Sequence, residues 1–164
     1  QYEYRFDGIV ELMGVSFSYP EDKMLGVRWL GKGPYRVWQN RLHGSVLDVW
    51  DKEYNDPIPG ESFFYPEFKG YHAGWEWAVF QTEEGRIFIN DLSDNGNDSY
   101  LGIYEPRDGR DALLYTLPGS GLAILDVIPA ARNKVNATDL IGPSSQAPRV
   151  QGSRTHKLQL KFEF

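Results

Sequence analysis

Cysteine is absent from this 164-residue chain. Disulfides, thiolate nucleophiles and cysteine-ligated zinc or iron–sulfur sites go with it. Histidine is scarce: His43, His72 and His156 stand far apart and show no metal-ligand spacing, so no metal and no other cofactor is expected. No apolar run reaches the length that spans a bilayer, and no membrane partner is expected. Positive charge is not in excess either, with a formal net charge of −6. A phosphate backbone repels such a surface, which argues against nucleic acid as a partner. The basic stretch 149–157 is short and interrupted and reads as a solvated face. The N-terminal QYEYRFDGIVELMG lacks the basic–apolar–small order of a signal peptide and opens without Met. We expect the chain to be cut from a longer one.

What is abundant is aromatic side chains, at 15%, each of which must be buried or present a flat face to something. A 41% hydrophobic fraction with 24% charge fits a folded chain of one domain, 1–164. Period-two alternation dominates. Leu158, Leu160, Phe162 and Phe164 fall on one face of His156–Phe164, with Lys157, Gln159, Lys161 and Glu163 on the other. Tyr2, Tyr4 and Phe6 alternate with Glu3 and Arg5 in the same way. Leu25–Trp29, Trp75–Gln81, Arg86–Asn90, Ser99–Tyr104, Ala112–Leu117 and Leu122–Ile128 read as further strands. Turn chemistry separates them at Glu84-Gly85, 94–98 and 118–121. Asp91, Ser93 and Asn95 partly imitate a calcium loop, but Gly102 stands where the bidentate Glu is needed, so a plain hairpin is expected. Helix is rare, with one short piece expected at Leu42–Trp50 and a turn or two in 130–140. Two longer loops, 51–70 and 142–154, are expected. Short, regularly spaced strands point to an all-β, antiparallel sandwich or barrel.

One stretch concentrates rings and chain-bending residues: Arg28–Arg41, RWLGKGPYRVWQNR. Gly31, Gly33 and Pro34 sit between Trp29 and Tyr35, which reads as a structural corner. Trp38 and Arg41 follow it and are candidates for exposure.

Trp29-Leu30-Gly31-Lys32-Gly33-Pro34, followed by Arg41, resembles the W-x-G-x-G-P…R segment in the C-terminal β domain of family 2 β-galactosidases. Met13-Gly14-Val15 and Val27-Arg28-Trp29 are similar to the strand entering that segment. The stretch 66–70 resembles a loop of the domain, Leu122–Asp126 a strand near its end, and Lys157–Phe164 its closing strand. The resemblance implies a supersandwich of the galactose mutarotase-like type, with this chain as its second half. It also implies a non-catalytic C-terminal domain of a glycosidase, packed on the catalytic domains of the same polypeptide near a carbohydrate substrate, a galactoside or a plant or host glycan. In that family both catalytic glutamates lie in a separate (β/α)8 barrel, and a secreted or periplasmic setting is implied. The chain departs from the family pattern at Arg36, Trp38 and Asn40, and around Tyr71-His72-Ala73-Gly74.

No βα repeat is present, so the barrel is not in this chain, and no catalytic residue is assigned. Sugars stack on exposed rings while charged or amide groups hold their hydroxyls. On that chemistry Trp38, Arg41, His72 and Trp75 are the candidate carbohydrate-binding residues. Trp75, at a strand start, is expected to be exposed, and Trp77 to be core. Two alternatives stay open: a stand-alone carbohydrate-binding module through those four residues, and a mutarotase-like epimerase using His72 with Glu67 as acid and base.

Overall fold

The computed structural model describes residues 1–54, 70–93, 99–105, 119–130 and 146–164. They form ten strands and one 3-10 turn at Glu21–Lys23. The strands are β1 (Tyr2–Ile9), β2 (Met13–Phe17), β3 (Met24–Val37), β4 (Val46–Glu53), β5 (Tyr71–Thr82), β6 (Gly85–Asp91), β7 (Tyr100–Tyr104), β8 (Gly121–Val127), β9 (Arg149–His156) and β10 (Leu158–Glu163). Every pairing among them is antiparallel. The chain is an all-β sandwich of packed antiparallel sheets, as alternation and turn spacing imply.

The long strand β5 organises the main sheet. Along one edge it pairs with β3, which in turn pairs with β4. Its first residues pair with β7, which continues to β8 and β2. Its second half pairs with β6, which continues to β10. The sheet therefore divides at β5 and folds over a shared core of Val27, Trp29, Trp75, Phe80, Ile89, Leu101 and Ile124. The β7–β8 arm is buried on both faces. Leu101, Ile103, Leu122 and Ile124 enter that core, while Tyr104, Ala123 and Leu125 join Val37, Trp38 and Tyr71 in a second one. Near-continuous apolar runs are what two-sided burial requires.

Strands β1 and β9 form a separate two-stranded ribbon. His156, at the end of β9, is buried and lies 2.9–3.0 Å from the Asp126 carboxylate on β8. The Tyr2 ring stacks on its imidazole at 4.9 Å. This fixes the ribbon to the main sheet.

Four local expectations need correction. Leu42–Trp50 is not helical: Val46–Glu53 is strand β4, whose Trp50 sits opposite Trp29. The stretch 149–154 is not loop but most of β9, a polar strand with Val150 and His156 turned inward. His156–Phe164 is not one strand: it breaks at Lys157, and Phe164 at its end is 91% exposed. Finally, Gly31–Pro34 is not a corner. Strand β3 runs through it, and the reversal comes later, where Trp38 bridges to Arg41. The Ala112–Leu117 strand, the 94–98 hairpin tip and the 130–140 turn lie mostly or wholly outside the described residues.

Candidate functional site

The inward face of β3 carries Val27, Trp29, Gly31 and Gly33, and the outward face Arg28, Leu30 and Lys32. The glycines have a steric cause. A β-carbon on Gly33 would lie 2.6 Å from the Trp50 indole, and one on Gly31 would lie 3.0 Å from Trp29 and from the Trp75 backbone. The Trp50 indole N–H, lying across this face, donates to the Gly31 carbonyl at 3.1 Å. The W-x-G-x-G pattern thus leaves room at Gly33 for the Trp50 indole from β4, and at Gly31 for the Trp29 ring and the backbone of β5.

His72 lies on the same side. Its ring sits 4.4 Å from that of Trp29 and is 3% exposed. Both imidazole nitrogens, and the indole nitrogens of Trp29 and Trp75, are buried without a hydrogen-bond partner among the described residues. Burial, with the Arg36 charge behind it, pushes the His72 pKa down to about 3. The ring is therefore neutral at ordinary pH, which is the form a dry interior tolerates.

Beside it lies a set of polar groups tied to the backbone. Arg36 lies over the Tyr54 ring at 5.5 Å. The Tyr54 hydroxyl donates to the Ile103 carbonyl at 2.6 Å, with Glu21 Oε1 3.4 Å away. Burial, and then the Glu21 charge, raises the Tyr54 pKa well above the phenolic range. Glu21 is buried, and its Oε2 accepts from the Glu105 amide at 2.9 Å. Glu105 Oε2 accepts in return from the Glu21 amide at 3.2 Å. This reciprocal clasp joins the 3-10 turn to the end of β7. Both carboxylates accept backbone hydrogen bonds, an arrangement that holds two chain segments together.

The four residues singled out for carbohydrate binding do not form one surface. Trp38 is 4% exposed, against the expectation, and meets the Tyr71 ring edge-on at 5.6 Å in the second core. Trp75 is 1% exposed, again against the expectation, and belongs to the first core. His72 is interior, as above. Arg41 is exposed and closes the turn after β3, its amide bonded to the Trp38 carbonyl at 2.8 Å. Glu67, the notional partner of His72, lies outside the described residues.

The tryptophan of β5 that reaches the surface is Trp77. Leu30 pairs with Trp77, but Lys32 pairs with Ala73, so Gly74, Trp75 and Glu76 together oppose Gly31. Gly74 adopts φ +51, a conformation that glycine takes without the β-carbon penalty. Within this bulge the alternation breaks, and Trp75, three residues before buried Ala78, also turns inward. Trp77 comes out on the opposite face, partly exposed beside Leu30. Across the sheet its row continues to Asn90 on β6 and Gln159 on β10. The Asn90 amide donates to Gln159 Oε1 at 3.2 Å.

Comparison with family models, curated proteins and solved structures finds no match to this chain. The residues themselves must carry the reading. An isolated glycine inside an otherwise alternating strand marks a bulge. Gly74, directly before Trp75, was the available sign that the two tryptophans exchange faces.

Proposed function

We propose that the chain is a non-catalytic domain of a β-galactosidase-like family 2 glycoside hydrolase, a supersandwich of the galactose mutarotase-like type that packs on the catalytic barrel of the same polypeptide at the rim of its carbohydrate site. The observation that carries this reading is the role of Trp29–Gly33. The residues that resemble the family segment are core-forming, with each glycine seating a tryptophan. A segment of that kind serves the fold of a supporting domain. Glycoside hydrolysis in turn needs two carboxyl groups facing a sugar, one of them protonated. The buried Glu21 and its neighbour Glu105 accept each other's backbone amides instead.

The test is an assay of the purified chain with an aryl β-galactoside, together with the coding sequence that precedes it. We expect no release of the aryl group, and upstream a (β/α)8 barrel with two catalytic glutamates. Turnover by the isolated chain would overturn the proposal.

A second reading, a carbohydrate-binding surface acting in its own right, is favoured by the partly exposed Trp77 and its row of amides rather than by the four residues first singled out. The mutarotase-like alternative draws less support. General acid–base catalysis needs a group poised near the working pH, and His72 is held at about 3.

A further inference from the structure

Trp77 differs from the other four tryptophans. Trp29 packs against Trp50 and His72, Trp38 against Tyr71, and Trp50 donates to Gly31. Trp75 is enclosed in the core. Trp77 is partly exposed and, among the described residues, has neither a ring partner nor a hydrogen bond. We propose that Trp77, Asn90 and Gln159 form a binding platform for a neutral glycan chain lying across β5, β6 and β10.

The chemistry follows from the row. An indole face offers an apolar plane for the CH face of a pyranose, and its N–H offers a donor. Neighbouring strands are about 4.8 Å apart, so Trp77 and Gln159, two strands away, span roughly 10 Å. Asn90 stands between them. The bond between the two amides uses one donor and one acceptor. The Asn90 carbonyl oxygen is left to accept from sugar hydroxyls, and the second Asn90 N–H and both Gln159 N–H groups to donate to them. An aromatic plane followed by paired amides is the pattern that holds a flat, polyhydroxylated, uncharged ligand.

The charges nearby favour a neutral ligand over an acidic one. Arg86 and Lys161 both bond Glu163, at 2.8 and 2.6 Å. Both cations also lie over the Phe88 ring, at 5.4 and 5.5 Å. The two cations on the outward faces of β6 and β10 are thus held by Glu163 and cover Phe88, while among the described residues no cation lies over Trp77.

This inference rests on the reading that the chain engages carbohydrate, and the experiment separates the two. The full chain is run through native gels containing a neutral β-galactan, a galactomannan or a xylan, with polygalacturonate as the acidic comparison. Affinity for the retarding glycan is then measured by calorimetry. We expect retardation by a neutral glycan, at least a tenfold loss of affinity in Trp77→Ala, partial retention in Trp77→Phe, a several-fold loss in Asn90→Ala, and no change in Arg41→Ala. Thermal melts confirm that each variant is folded. Binding that survives Trp77→Ala intact overturns the platform and leaves the carbohydrate reading standing. A wild-type chain retarded by none of the glycans overturns both. Preference for polygalacturonate overturns the neutral assignment. Self-association that Trp77→Ala abolishes, without glycan binding, makes the face a protein interface and overturns the platform.

Discussion

Trp75 and Trp77 stand two residues apart on β5, yet they meet opposite environments. Trp75 is 1% exposed, with its backbone against Gly31 of β3, whereas Trp77 is partly exposed on the outer face beside Leu30 and Asn90. The inner face is a jigsaw in which a single added carbon has no room. The outer face is a row of side chains with unused bonding capacity. Strict alternation would have put both rings on one side, so the bulge at Gly74 alone separates a structural tryptophan from a functional candidate.

The sharpest way to break this contrast is Trp75→Ala. Removing a fully buried indole should cost about 3–5 kcal/mol, through lost burial and the cavity left behind. Urea denaturation followed by circular dichroism measures it. A loss under about 1 kcal/mol would mean that Trp75 is not part of the core.

Next in size is Gly33→Ala. Its new β-carbon would meet the Trp50 indole at 2.6 Å, and Trp50 is itself held by its bond to Gly31. Overpacking of this kind should cost about 1–3 kcal/mol. Combining it with Trp50→Ala should recover part of that loss, because the clash disappears. A double-mutant cycle with no coupling would remove the steric account of the glycine pattern.

His72 gives a test by pH. Its folded pKa is lowered from an ordinary 6.5 to about 3. Between those values the unfolded chain binds a proton that the folded chain refuses, so this group's contribution to stability is present above pH 6.5 and is lost as pH falls. At about pH 5 the loss should reach about 2 kcal/mol relative to about pH 7. His72→Phe should flatten that slope. Because both ring nitrogens lack partners among the described residues, the substitution should not destabilise the protein near neutral pH by more than about 1 kcal/mol. Parallel slopes in the two proteins would show that His72 titrates alike in the folded and unfolded chain, and would remove the account of its burial.

These cases also show how far the sequence reaches. The β class was legible because Tyr2–Phe6, Arg86–Asn90 and Leu122–Val127 keep an unbroken apolar pattern and sit between turn residues. β4 was not, because Leu42, Val46, Val49 and Trp50 also fit a helical spacing, and only pairing with β3 decides between the two. β9 was hidden by its polar composition, since a two-stranded ribbon needs few apolar residues on its open face. At the candidate site, the importance of Trp29–Gly33 was visible but its form was not. Glycine in a turn and glycine beneath an indole look alike until the tryptophan from another strand is in place. The row Trp77–Asn90–Gln159 joins residues far apart in the chain through strand register, and register cannot be read from one sequence.

The smallest expected effect on stability is the most informative one. Trp77→Ala removes a ring that pairs across strands with Leu30 and Asn90 but closes no cavity in the core. Cross-strand contacts of this kind contribute about 0.2–1 kcal/mol. The variant should therefore stay within about 1 kcal/mol of wild type in the urea experiment that registers about 3–5 kcal/mol for Trp75→Ala. A large Trp77 effect would place that ring in a buried interface and collapse the distinction between the two faces. A small one leaves an aromatic side chain whose exposure the fold does not require. A single exposed ring needs no explanation in itself, so it is the loss of glycan affinity in Trp77→Ala, and not the exposure, that would assign this ring a ligand.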